Sequence, residues 1–228
     1  MNNIYNTFID EIEKLKKDKN VKSIIHVGSS KDKIDNNCKI NDIDLFIIVE
    51  KQEENQIRKI EKINEIEFDF NYISLDGCYE FINNKTYFFL IIKDGKLLYD
   101  ENNIGRKIML LCEEKYKEGP NKISIEDKRF QAIQLLDDIS RLKNKEEYDK
   151  FEYDFLFYMY ITKLIRMYYV ISDTWTPKDK KLLKSLKKQD FTLYKLICDD
   201  EEFDKYEKLI IVAKYIFRNL LNGEDKNG

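Results

Sequence analysis

The segment Asp42-Ile43-Asp44-Leu45-Phe46-Ile47-Ile48-Val49 constrains the chain more than any other. Side chains alternate along a strand, so Ile43, Leu45, Ile47 and Val49 point one way and Asp42, Asp44, Phe46 and Ile48 the other. The later half is apolar on both faces, which predicts an inner strand packed on both sides. The first half sets two acids on one face, about 7 Å apart along the strand. Any sheet built round this segment holds two carboxylates at one end of an otherwise buried strand.

The neighbouring segments supply the rest of such a sheet. Ile4, Phe8, Ile12 and Leu15 recur at helical spacing across residues 4–17, and KSIIHV then runs as an apolar strand into Gly28. A polar loop, Ser29 to Asn41, leads to the Asp-Ile-Asp strand. Gln52 to Asn64 is expected to be a polar helical segment. IEFDFNYISL alternates, with Ile66, Phe68, Phe70 and Tyr72 on one face and Glu67, Asp69 and Asn71 on the other. KTYFFLIIKDGKLLYD is expected to be strand, Asp94-Gly95 turn and strand. From Glu101 the pattern turns helical, and Gly119-Pro120 is the clearest break, with Ser124 and Asp127 spaced as an N-cap pair. Phe130, Ile133, Leu136, Ile139 and Leu142 are expected to line one buried helix face. Phe151 to Ile171 predicts a long buried helix, Pro177 a helix start at Lys178, and EEFDKYEKLIIVAKYIFRNLL a closing helix before a disordered GEDKNG tail. The expected fold class is α+β: a mixed sheet with flanking helices over residues 1–119, then a helical bundle over 120–228.

Composition narrows the classes of function. Hydrophobic residues at 43% against 36% charged describe a folded chain, and a net charge of −3 lacks the excess expected of a generic nucleic-acid binder. Cys38, Cys78, Cys112 and Cys198 form no CxxC pair, so reduced thiols are expected instead of a zinc ribbon or disulfide framework. His26 is the only histidine, which removes multi-histidine metal sites. No signal-like or membrane-spanning apolar run occurs, and a cytoplasmic protein without membrane partners is expected.

Asp42 and Asp44, with Asp69 from a neighbouring strand, make a set of hard oxygen donors suited to magnesium, which keeps open positions for substrate phosphates. Two such ions about 3.5–4 Å apart activate an attacking oxygen and neutralise a leaving pyrophosphate. Glu67 lies two residues before Asp69 on the same face, so either acid can be the third ligand; Asp69, between Phe68 and Phe70, is favoured. Gly28 at a strand end lets backbone approach a phosphate while the following amides and the Ser29 hydroxyl donate to it. Ser30 is either a further phosphate contact or an ordinary loop serine.

Taken in order, the apolar strand, Gly28-Ser29, twelve residues, Asp42-Ile43-Asp44 and then Phe68-Asp69-Phe70 resemble the nucleotidyltransferase superfamily with the DNA polymerase beta-like palm. The resemblance covers the first hundred residues. Within that superfamily the chain looks like small stand-alone enzymes with a helical C-terminal domain, such as kanamycin and other aminoglycoside nucleotidyltransferases. ITKLIRMYYVISDTWTPKDKKLL is similar to their helical-domain stretch. The resemblance implies an NTP substrate, ATP first, with Asp42, Asp44 and Asp69 as catalytic metal ligands for Mg²⁺, two ions, or substituting Mn²⁺. Asp69 is then a ligand and a candidate base, while Gly28 and Ser29 bind the triphosphate. The acceptor is a hydroxyl-bearing molecule, a small aminoglycoside-like antibiotic favoured over a protein or tRNA. Two departures bear on that acceptor: residues 30–41 lack an Arg-x-x-Gly, and Asn41 replaces the common Ser before Asp-x-Asp.

In the helical half, Lys163 and Arg166 interrupt an apolar helix and are expected to meet an anionic nucleotide or to pair with Asp137 or Asp138. Lys178 and Lys180 are further candidates for the triphosphate. Glu152 and Asp154 are expected to complement the helix N-terminus, with an acceptor-side base as the alternative. Trp175, Tyr158, Tyr160, Tyr168 and Tyr169 are expected in the core, and His26 is expected to be a satisfied strand histidine. The rival to an enzyme is a non-catalytic or antitoxin-like regulatory module on the same fold.

Overall fold

A computed structural model of the chain describes residues 3–34, 40, 42–199 and 203–221. Cys38, Asn41 and the GEDKNG tail lie outside the described residues. The chain divides into two compact units, Met1–Gly119 and Pro120–Gly228.

The first unit opens with α1 (Asn3–Leu15) and continues through β1 (Val21–Val27), β2 (Asp42–Val49), β3 (Gln56–Ile63) and β4 (Ile66–Ser74). Then follow α2 (Leu75–Asn83), α3 (Tyr87–Leu90), β5 (Lys96–Asp100) and α4 (Ile104–Lys117). The strands form one mixed sheet in the order β3-β4-β2-β1-β5, with β2 parallel to β4 and every other pair antiparallel. The Asp-Ile-Asp strand is the central one. One sheet face packs Ile24, Ile43, Leu45, Ile47, Phe68 and Phe70 with Phe8 and Ile12 of α1. On the other face Phe46 meets Phe88 and Phe89 of α3.

Two expectations are corrected here. Residues 56–63 form β3, not a helix: Asn64 and Glu65 both take positive φ, 47° and 67°, the geometry of a two-residue turn whose twist suits a hairpin. Asn64 Nδ2 also donates to Thr7 Oγ1 of α1 at 3.0 Å, tying that turn down. Tyr87–Leu90 and the 3₁₀ turn Ile91–Asp94 are helical, so of the expected strand, turn and strand only β5 is a strand. A Cβ on Gly95 would lie 2.4 Å from Ile25 Cγ2, so this glycine serves close packing under β1.

The second unit is helical: α5 (Ile125–Ser140), α6 (Lys150–Ile171), α7 (Leu182–Gln189), α8 (Phe191–Cys198) and α9 (Lys205–Leu221). Ser124 caps α5 by accepting from the Asp127 amide, and Asp149 with Glu152 forms a reciprocal capping box on α6. The helices enclose Ala132, Tyr153, Tyr160, Leu164, Tyr169, Leu209 and Phe217, with Tyr168 packed against this core. Of the residues expected to line α5 and the turn after it, Ile139 and Leu142 are buried and Leu136 packs against the core, but Phe130 and Ile133 are not inside. Ala132, Leu135 and Ile139 are inside while Phe130 and Ile133 are 61% and 57% exposed. Lys128 is buried on the same face as Ala132, Leu135 and Ile139, its ammonium 2.6 Å from Asp173 Oδ1. Tyr158 is likewise exposed instead of core. Lys178 and Asp179 begin a 3₁₀ turn, and α7 starts only at Leu182. Among the described residues no helix is long and apolar enough to cross a membrane.

Candidate active site

Strand register collects the acids. Partners across a ladder share a sheet face, and β2 pairs with β4 so that Asp42 lies beside Glu67 and Asp44 beside Asp69. Four carboxylates therefore sit on one face of two central strands, at the end where apolar packing stops. Like charges directly opposite each other destabilise a sheet. This placement is therefore paid for elsewhere in the fold, and it suits a face that receives cations.

The same register brings β1 and β3 to the acids. Asp44 pairs with Val27, and the next residue, Gly28, turns out of the strand at φ +80°. A Cβ on Gly28 would lie 2.1 Å from Asp44 Oδ2. Only a glycine lets the backbone run this close to the carboxylate while holding a left-handed conformation. Gly28 and Ser29 are exposed beside the acids. Ser30 is not: it is buried, its hydroxyl 3.0 Å from His26 Nε2, so that side chain faces the interior and supports the strand end. His26 is buried in β1, with its ring against Phe8 and its Nε2 at the Ser30 hydroxyl.

From the far side, β3 places Arg58 opposite Asn71 and Ile60 opposite Asp69. Arg58 forks onto Asp69, Nε to Oδ1 at 2.9 Å and Nη2 to Oδ2 at 2.7 Å. Asn71 Nδ2 also donates to Asp69 Oδ1, at 3.1 Å, and is itself fixed by Gln56 Nε2 donating to Asn71 Oδ1 at 3.0 Å. The guanidinium is held above its ordinary value by its hydrogen bond to Asp69 and that residue's charge, with Asp44 and Glu67 adding to it. Lys62, opposite Glu67, bonds Glu65 instead. Arg58, Asn71 and Gln56 were not among the residues singled out from sequence. Strand alternation through Gln56, Arg58, Ile60 and Lys62 is the signal that places Arg58 on the acid face, and a helical reading of that segment hides it.

The donor chemistry of Asp42 and Asp44 fits a hard divalent cation, and the exposed Gly28-Ser29 backbone beside them leaves room for a phosphate. The third carboxylate is committed to Arg58. Consistently, among the described residues no three His, Cys, Asp or Glu side chains are placed to hold one ion together. Of the expected site residues, the structure thus brings Gly28, Asp42, Asp44 and Asp69 to one end of the sheet, with Ser29 adjoining.

Lys163, Lys178 and Lys180 belong to the second unit. Lys163 and Arg166 line a groove of about 630 Å³ along α6 with Phe151, Phe155 and Tyr158. The Lys163 ammonium lies 5.2 Å from the Tyr160 ring centroid. Arg166 bonds Asp179, not Asp137 or Asp138, which are paired with Arg141. Glu152 serves the α6 cap and Asp154 pairs with Lys205.

No family profile matches the sequence, and no curated protein does. Among solved structures, a nucleotidyltransferase-like protein from Exiguobacterium sibiricum superposes with a TM-score of 0.52 at 10% identity. That match covers 96% of this chain and 75% of the other. At such identity the likeness is one of architecture, and the chain has a nucleotidyltransferase-like fold.

Proposed function

We propose that the chain is a divalent-cation-dependent nucleotidyltransferase. The observation that carries this is the in-register pairing of Asp44 with Asp69, against which the left-handed Gly28 backbone closes. In the proposed reaction an acceptor hydroxyl oxygen bonds to the α-phosphorus of an NTP, ATP first. The bond from that phosphorus to the bridging oxygen breaks, and pyrophosphate leaves while the hydroxyl proton passes to a base. Asp42 and Asp44 would hold Mg²⁺ or Mn²⁺, with Asp69 as third ligand or as that base. When bound, such ions lower the negative charge facing the attacking oxygen and stabilise the leaving pyrophosphate. The Gly28 and Ser29 amides and the Ser29 hydroxyl would orient the triphosphate. A net charge of −3 favours a small hydroxylated acceptor, of the aminoglycoside kind, over tRNA.

Pyrophosphate release from each NTP with Mg²⁺ or Mn²⁺, against aminoglycosides, lincosamides, protein and tRNA acceptors, tests this. Release is expected with one acceptor, and Asp44→Asn should lower it by about 10³-fold or more while the circular dichroism spectrum stays that of the wild type. Full activity in Asp44→Asn refutes the site. A second reading, a regulatory module that binds nucleotide without turnover, is favoured by the Arg58–Asp69 pair, which neutralises the third acid. Cation-dependent NTP binding with no release from any acceptor would select it.

A further inference from the structure

Asp69 is the acid a cation needs and the acid Arg58 already holds. Both hydrogen bonds of the guanidinium fork go to its two oxygens, and Asn71 adds a third donor on Oδ1. A carboxylate oxygen offers two lone pairs. Oδ1 thus has none left, and the remaining pair on Oδ2 lies beside the guanidinium's positive charge. The two partners differ in how firmly they are held. The Asp69 side chain is 13% exposed on a central strand, whereas Arg58 is 57% exposed on the edge strand β3. Arg58, the solvent-exposed partner, is therefore the member with room to move off Asp69 when a cation competes for it.

We infer that Arg58 is a resident competitor for the cation site: its guanidinium occupies Asp69 until a divalent ion displaces it, so that Arg58 sets how much cation the site requires. This rests on the proposed reading of the carboxylates as a cation site. It also gives the ion pair a purpose in the cation-free protein, because Arg58 offsets one of four carboxylates that register forces together. Asn71, fixed by Gln56, keeps Asp69 pointed the same way after Arg58 leaves, so the third ligand remains oriented.

Direct Mn²⁺ binding, followed by the loss of the free-ion electron paramagnetic resonance signal, tests this without turnover. The full chain is compared with Arg58→Gln, Arg58→Lys, Asp69→Asn and the Arg58→Gln/Asp69→Asn double variant. A divalent ion about 5 Å from a guanidinium loses roughly ten- to twentyfold in affinity even with the screening of bulk water. Arg58→Gln should therefore bind Mn²⁺ about tenfold more tightly, with the gain shrinking as salt rises. Arg58→Lys, which keeps the charge, should stay near wild type. In the Asp69→Asn background, Arg58→Gln should gain much less. Wild-type binding that Arg58→Gln leaves unchanged or weakens overturns the inference alone, as does an equal gain in Arg58→Lys. Absence of Mn²⁺ binding in every protein overturns the reading of the carboxylates as a cation site, and this inference with it.

Discussion

Gly28→Ala isolates the contact on which the candidate site turns. Two costs are legible in the geometry. At φ +80° an alanine takes a left-handed conformation costing about 1–2 kcal/mol. The new methyl also meets Asp44 Oδ2 at 2.1 Å, so the carboxylate must leave its rotamer, for about 0.5–1.5 kcal/mol. Together these destabilise the β1–β2 pair by about 1.5–3.5 kcal/mol. Because the second cost needs the Asp44 side chain, it disappears in an Asp44→Ala background, where Gly28→Ala should cost only about 1–2 kcal/mol. The assay is native-state hydrogen exchange of the Ile24 and Ile47 amides, which lie in the β1–β2 ladder, across the four proteins of the cycle. Equal costs in both backgrounds would refute the contact between Gly28 and the Asp44 carboxylate. A cost under about 0.5 kcal/mol in both would refute the left-handed turn as well.

Further expectations concern charge and protonation. Asp42→Asn removes one of a like-charged pair facing Glu67, so it should stabilise the cation-free protein by about 0.2–1 kcal/mol in urea titration while weakening Mn²⁺ binding; destabilisation without cation would refute the repulsion. Burial pushes the Cys112 thiol from an ordinary value of 9.0 up to about 12, and raises Cys78 further by the same cause with a smaller contribution from Cys112. The unfolded chain therefore loses these protons first, so stability should be unaffected by them below about pH 9 and fall above it, by about 1.4 kcal/mol per pH unit for each thiol. Denaturant midpoints between pH 7 and 10.5, compared with a Cys78→Ala/Cys112→Ala protein, measure this, and a flat difference would count against the burial.

What could be read from residues alone follows from how local the controlling physics is. Alternation in DIDLFIIV and IEFDFNYIS is a property of each strand by itself, so the inner position of β2 and the sidedness of Asp42, Asp44 and Asp69 were legible. The Asp149–Glu152 box and the Ser124 cap are equally local, and the cap at Ser124 was visible in its spacing. Residues 56–63 were not legible, because Ile57, Ile60 and Ile63 also fit helical spacing. The choice is made by the turn at Asn64-Glu65 and its tie to Thr7, 57 positions away. Losing that strand hid Arg58, since only pairing with β4 brings a residue eleven positions from Asp69 onto its carboxylate. Tyr87–Leu90 failed for a similar reason: aromatic and β-branched residues favour strands, but the space above Phe46 is filled by a helical turn that presents Phe88 and Phe89 together.

The register also bears on why this end of the sheet is built as it is. A strand pair that served packing alone would be stabler with polar, uncharged residues where Asp42 faces Glu67 and Asp44 faces Asp69. The same strands a few residues on set Phe46 beside Asn71 and Ile48 beside Ile73, so acid pairing is confined to the end of the face where Gly28 leaves the sheet. Arg58 relieves part of the repulsion, yet it does so from a half-exposed edge position and not through a buried partner. An exposed counter-charge is a poor device for rigid stability, and it suits a face that exchanges one cation for another, as the proposed function requires.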